Sequence, residues 1–220
     1  MTNLTLFARD RERNAVRSRE LILDAAERLF ADQGYEETSL SDVGRAAGLS
    51  RATPGYFFGS KADLHRAVLE RCFEDVRRAV REGRDRALAS GHPPEVLLAG
   101  AVSDYVDFVA ARPHFVRLIQ REALSGRTTL DAFPLGLAAG REMISALTLE
   151  LGLEEVDPGE VAHLLFSLIA LTWFPHQGSS LARAIGIDTE APGFPTERKR
   201  HVTELITGWL AARRASIPSR

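Results

Sequence analysis

The chain has 220 residues, is 45% hydrophobic and 26% charged, and carries a net charge of −2. This suits a globular protein with a sizeable core and excludes low-complexity and collagen-like chains. A single cysteine, Cys72, excludes an internal disulfide and points to a reducing, cytoplasmic setting. The first twenty residues place arginines after a weak apolar patch, the reverse of a secretory signal. The most apolar stretch, Val161 to Phe174, falls short of the ~18 residues that cross a bilayer, so no membrane partner is expected.

A period near 3.6 residues recurs from end to end without competing strand-like alternation, so the fold is expected to be all-α. Residues 1–14 read as a flexible, arginine-rich arm. The first helix is expected at about Val16 to Gln33, where Ile22, Ala25, Ala26, Leu29 and Phe30 share a face and Gly34 marks the stop. Three helix starts then crowd together. Ser39 with Asp42 opens a short helix ending at Ala47, Gly48 makes a turn, Ser50 caps a segment with Thr53 at its third position, and Ser60 caps another with Asp63. Helices this short are marginal alone and must be fixed by packing.

The remainder is longer-limbed. A helix is expected from Lys61 toward Ala89, with Leu64, Ala67, Val68, Cys72, Val76 and Ala79 on one stripe. Glu95 to Ala111 is apolar almost all round and reads as a central helix. Pro113 opens the next, and Pro134 to Gly152 forms another after a loop around Gly126. Asp157, Pro158 and Glu160 give cap, first-turn and third-position signals for a helix through Trp173. The last is expected at Thr196 to Arg213, with Val202, Leu205, Ile206, Trp209 and Leu210 aligned. The expected division is an arm (1–14), a small domain (15–62) and a larger regulatory and dimerisation domain (63–220).

Two short helices joined at Gly48 match the helix-turn-helix plan, whose second helix lies in the major groove of double-stranded DNA. Leu40, Val43 and Ala47 give the first helix a core stripe, and Leu49 and Phe58 are assigned to the core. Arg51 can fork onto guanine O6 and N7, while Ala52 offers only a methyl to thymine. Thr38, Ser39 and the Lys61 ammonium suit phosphate oxygens. Arg45 reads equally as a solvated charge or a phosphate contact, and Tyr56 and Phe57 as core or contact aromatics. Positive charge is concentrated in the first third and the tail, while residues 91–195 are acidic.

From Arg19 onward, "RELILDAAERLFADQGYEETSLSDVGRAAGLSRATPGYFFGSKADLHRAVL" resembles the N-terminal DNA-binding domain of the tetracycline-repressor (TetR) family of bacterial regulators. Most members have Gly-Thr-Leu-Tyr where this chain has Ala52-Thr53-Pro54-Gly55, so the usual tyrosine is replaced by Gly55. The resemblance implies that Arg51 and Ala52, in the segment opened by Ser50, face bases and that Thr53, Tyr56 and Lys61 face phosphate. It also implies a homodimeric repressor on an inverted-repeat operator, released by a small-molecule effector. Val161 to Trp173 is apolar on nearly every face and calls for cover by a second copy. The family pairs its last two long helices with their mates, which places Val161, Leu165, Leu168, Leu205 and Trp209 at the interface. By the same analogy Tyr105, Phe108, Phe115, Met143 and Phe166 line a ligand pocket, with Arg117 and Glu122 nearby; plain helical core is the alternative at each.

Histidines 65, 92, 114, 163, 176 and 201 lack metal-ligand spacing, and no phosphate loop or nucleophile elbow occurs, so neither a cofactor nor enzymatic activity is expected. The rival reading is an all-α adaptor that uses its helix-turn-helix for protein contacts.

Overall fold

No glycine or proline stands before Gly34, so nothing in the first 33 residues halts a helix. In the computed structural model, which describes residues 2–125, 140–142, 144–145, 148–149, 153–176 and 179–216, helix α1 accordingly spans Thr2–Asp32. The expected flexible arm over residues 1–14 is thus corrected: residues 2–14 are the opening turns of α1. Gly34, at φ 89°, ends the run and donates its N–H to the Phe30 carbonyl.

The further helices are α2 (Leu40–Ala46), α3 (Thr53–Phe58), α4 (Lys61–Ser90), α5 (Pro94–Ala110), α6 (Pro113–Leu124), α7 (Pro158–Trp173), α8 (Ser179–Ala184) and α9 (Phe194–Ser216), with a single 3₁₀ turn at Phe174–His176. Among the described residues there is no strand, and no helix is long and apolar enough to cross a membrane. Most of the expected helix over Pro134 to Gly152, Met143 included, lies outside the described residues.

Two units are distinguished, 1–72 with 117–127 and 73–116 with 128–220. The expected boundary after residue 62 therefore moves into α4, and the last eight residues of α6, from Arg117, join the first unit. Burial explains the change. Leu64, His65, Val68, Leu69 and Cys72 of α4 and Leu118, Ile119 and Glu122 of α6 are all buried, as are Ile22, Ala25, Ala26 and Phe30 of α1 and Val43 of α2. Arg71 reinforces this unit, reaching Asp24 at 2.6 Å, Glu27 at 2.7 Å and Glu20 at 3.4 Å on α1. Burial opposes its charge, but the bonds to Asp24 and Glu27 outweigh that and hold its pKa above the ordinary arginine value. On α6, Arg121 donates to the Asp32 carbonyl at 2.8 Å, satisfying an acceptor at the end of α1 that the helix itself leaves open.

The second unit's core joins Val102 and Val106 of α5, Leu153 ahead of α7, Val161, Leu164 and Leu168 of α7, and Val202, Ile206 and Leu210 of α9. Helices α7 and α9 run antiparallel, with Glu160 against Arg213 at one end and Leu171 against Arg198 at the other. The second contact has a local cause. The Leu171 carbonyl would ordinarily accept from residue 175, but Pro175 has no N–H. Arg198 fills the gap through Nε at 3.0 Å and Nη2 at 2.6 Å. Desolvation holds the pKa of this half-buried guanidinium below the ordinary arginine value. Arg198→Leu is expected to orphan that carbonyl and cost about 1–3 kcal/mol. A thermal melt checks this; an unchanged melting temperature would show that water caps the carbonyl equally well.

Candidate nucleic-acid interface

The short helix α2 begins where its sequence can satisfy its own first turn. Ser39 has extended backbone, its Oγ accepts from the Asp42 N–H at 3.1 Å, and the Ser39 N–H returns to the Asp42 carboxylate at 3.3 Å. The Ser39 hydroxyl foremost, against a weaker opposing effect of burial, and then the Ser39 N–H and the charges of Arg45 and Arg51 hold Asp42 below the usual carboxylate value. The same device opens α4, where Ser60 Oγ accepts from the Asp63 N–H at 3.1 Å and Asp63 is likewise held low, chiefly by the Ser60 hydroxyl.

Between α2 and α3 the chain turns through Gly48 at φ 69°, a conformation that favours glycine. The Leu49 N–H closes the turn onto the Gly44 carbonyl at 2.9 Å. Gly44 itself is required by proximity. A Cβ there would stand 2.7 Å from the Ser50 carbonyl oxygen, 3.1 Å from Arg51 Cα and 3.3 Å from Pro54 Cδ. The backbones of α2 and of the segment leading into α3 therefore touch at this point.

That segment differs from expectation. Ser50 does not cap a helix with its side chain: its hydroxyl meets that of Thr53 at 2.7 Å, and α3 starts at Thr53, with the buried Pro54 in its first turn. Arg51 and Ala52 thus sit in the turn before α3, both exposed. Tyr56 is 85% exposed and meets the half-buried Phe57 edge to face at 5.4 Å. Phe58, expected in the core, is half-buried beneath the Arg19 guanidinium, 4.4 Å from its ring centre. Arg45 is exposed and pairs with Asp42.

Two expected phosphate donors are occupied. Thr38 is 1% exposed and donates to the Gly34 carbonyl at 2.7 Å, so it is a structural hydroxyl. Lys61 donates to the carbonyls of Tyr35 at 3.0 Å and Glu36 at 3.2 Å and lies over the Tyr35 ring, which leaves one of its three N–H groups for any partner. Sequence reasoning could not see either, because both bonds depend on how the α1–α2 link folds back. Nor did it single out Arg19, whose stacking on Phe58 joins α1 to the end of α3.

Comparison with known proteins identifies this unit. Residues 22–68 match the model of bacterial regulatory proteins of the tetR family. In these residues the chain is similar to TetR-family transcriptional regulators. The chain is 40% identical over 64 residues to the HTH-type transcriptional regulator AcrR of Shigella flexneri, covering 29% of this chain and 30% of AcrR. It is 31% identical over 98 residues to the HTH-type transcriptional activator FasR of Mycolicibacterium smegmatis, covering 44% and 43%. The matches thus span less than half of either relative's length. The fold extends further: the fatty acid degradation regulator FadR of Bacillus halodurans superimposes with a TM-score of 0.65 at 20% identity, over 87% of this chain and 95% of that one. The helix-turn-helix within the matched residues is Leu40 to Phe58, with Arg51, Ala52 and Tyr56 exposed.

The residues expected around a ligand divide. Tyr105, Phe108, Phe115 and Trp173 form a continuous aromatic group in the second unit: Tyr105 stacks on Phe108 at 6.4 Å, Phe108 meets Phe115 edge-on at 5.9 Å, and Phe115 meets Trp173 at 5.6 Å. Trp173 Nε1–H donates to the Tyr105 hydroxyl at 2.9 Å, and burial pushes the Tyr105 pKa up to about 12. Two others are corrected. Phe166 is 70% exposed on α7 and lines no interior. Arg117 lies in the first unit, half-exposed and paired with Asp32. Glu122 is buried there too, 3.1 Å from His65 Nε2 in an approach that does not meet hydrogen-bond geometry.

The interface expectation is corrected likewise: Val161, Leu165 and Leu168 are buried within the single chain, whereas His163, Phe166, Ser167 and Ala170 form the exposed face of α7. On α9, Leu205 is 48% exposed and Trp209 half-buried. Burying one face of an apolar helix leaves the other open, and sequence could not say which.

Gly44→Ala is expected to force α2 and α3 apart and destabilise the first unit by about 1–3 kcal/mol, read by circular dichroism as a lower melting temperature. A variant melting with the wild type would show that the approach relaxes freely. The pH dependence follows from Asp42 and Asp63. Their folded pKa values lie below the unfolded ones, so their contribution is complete above the ordinary carboxylate value and lost as pH falls through the folded value. Asp42→Asn should therefore melt lower than wild type near neutrality, with the gap narrowing in acid.

Proposed function

We propose that the chain is a dimeric repressor that binds an inverted-repeat operator through Leu40 to Phe58 of each copy and is released by a small molecule bound in its second unit. The observation that carries the reading is the exposed set Arg51, Ala52 and Tyr56 on a helix-turn-helix held rigid at Gly44. An arginine fork with a neighbouring methyl suits base reading, and the Ser39 end of α2 and the remaining Lys61 N–H suit phosphate. The chain acts by binding alone.

Dimerisation is supported by the uncovered faces of α7 and α9, where Phe166 and Leu205 lie among small residues, including Ala170 and Gly208. Large exposed apolar groups beside small ones permit close helix packing, and two-fold symmetry then demands an operator with half-sites about one helical turn, or a small multiple, apart. An apolar or aromatic effector is supported by the Tyr105, Phe108, Phe115 and Trp173 group. FadR of Bacillus halodurans, named for fatty acid degradation, shares the fold in this region. Helix α4 contributes to both units, so a shift of its second part on effector binding would be felt at its first. A ligand that weakens operator binding about a hundredfold must favour the incompetent state by about 2.7 kcal/mol. Repression needs only that a bound dimer exclude other proteins from its site; activation, the activity in FasR's name, needs a further contact surface.

Arg51→Ala is expected to cost about 1–3 kcal/mol on duplexes selected by the wild type from a random pool, with preference relaxed at one base pair per half-site. Equal loss on selected and random duplexes would remove Arg51 from base reading. Phe166→Glu should yield monomers in sedimentation; a soluble monomeric wild type at micromolar concentration would overturn the dimer.

A further inference from the structure

Most arginines of the first unit are answered inside the chain. Arg45, Arg66, Arg71 and Arg117 each lie against a carboxylate, and Arg121 donates to the Asp32 carbonyl. Arg19 is different. It is exposed, and among the described residues its guanidinium makes no hydrogen bond or ion pair; what it meets is the Phe58 ring, 4.4 Å from the ring centre. Its own helix supplies no partner, since the positions three and four residues away are Ala15, Val16, Ile22 and Leu23. The nearby carboxylates of Glu20 and Asp24 turn instead to Arg71. Stacking on the ring holds the flat cation in one place while leaving its N–H donors unspent. Phe58 is the last residue of α3, so that helix has a cation without a carboxylate at each end: Arg51 in the turn before it and Arg19 over its final ring.

We infer that Arg19 is a phosphate contact, delivered to the duplex from α1 and held in position by Phe58. The inference rests on the DNA-binding reading of Leu40 to Phe58 and adds a contact from outside that segment. Phosphate is favoured over base by the stacking itself. A guanidinium kept against a half-buried ring does not reach down a groove to a base edge, whereas phosphate oxygens line the outside of the duplex and accept forked N–H groups. Because the ring fixes the cation before DNA arrives, little side-chain freedom remains to be lost on binding.

The test uses the full-length chain, duplexes that the wild type selects from a random pool, and random duplexes beside them. Arg19→Gln is expected to bind both kinds about tenfold more weakly, and to make the fall of log affinity with log salt shallower by about 0.9 for each copy bound. Arg19→Lys keeps the charge and should restore the wild-type slope with part of the affinity. Arg183→Gln removes one exposed charge from the second unit and should leave the slope unchanged. An unchanged slope in Arg19→Gln overturns the proposal and leaves the DNA-binding reading standing, whether affinity is kept or is lost together with a lower melting temperature, which would make Arg19 a structural residue. A loss confined to the selected duplexes overturns it too, because Arg19 would then serve base reading, and so does an equal change of slope in Arg183→Gln, which would reflect net charge alone. If the wild type selects no duplex at all, the proposal falls together with the reading it rests on.

Discussion

The first unit depends on the bare backbone at Gly44. Helices of seven and six residues do not persist in water by themselves, so α2 and α3 exist only because each is clamped to something else. The clamp between them is a backbone approach that a single methyl would break, with the Ser50 carbonyl 2.7 Å from where a Cβ would stand. Everything useful about the surface follows from that distance. It fixes where the chain re-emerges at Arg51, and hence where Arg51, Ala52 and Tyr56 stand as a group, while the Ser39–Asp42 pair and the Lys61 bonds to Tyr35 and Glu36 hold the two ends in place. The same economy explains why Thr38 and most of Lys61 are turned inward: a small unit has few polar groups to spare for its own link.

Much of this was legible because it is local. Ser39 with Asp42 and Ser60 with Asp63 are capping pairs at a fixed spacing, Gly34 and Gly48 stand at turns, and Ile22, Ala25, Ala26 and Phe30 repeat at helical period; all were readable without coordinates. Gly44 was not, since a helical glycine that makes room for a facing backbone looks like any other until the second segment is placed. The start of α1 departs from expectation for a related reason: arginine-rich sequence suggests an arm, but without a breaker it continues a helix. In α7 the apolar residues surround the axis, so periodicity could not tell Leu165 and Leu168, which face the chain's own core, from Phe166, which faces away. The Arg198 bond to the Leu171 carbonyl needed two facts far apart in sequence, a proline at 175 and a long cation on the last helix.

The two units divide within α4 and α6 and not at a loop. A small domain joined by a loose linker would be indifferent to events in its neighbour. Here α4 gives its first twelve residues to the first unit and the rest to the second, and α6 gives its last eight residues to the first unit and its first four to the second. Helices transmit displacement along their axes because their internal bonds are short and cooperative, whereas loops absorb it. The carboxylates that hold Arg71, and Asp32 with Arg117 and Arg121, stabilise the first unit on α4 and α6, the two helices that contribute to both units.

On the proposed reading, the surface around Arg51 meets a DNA duplex as a charged, sequence-reading face. Anisotropy of a labelled duplex selected by the chain, titrated at several salt concentrations with excess random competitor, tests it most directly. Binding is expected to survive the competitor, with a log affinity that falls linearly with log salt at a slope near −0.9 for each phosphate neutralised. Binding indifferent to salt, or abolished by random competitor at low salt, would contradict it.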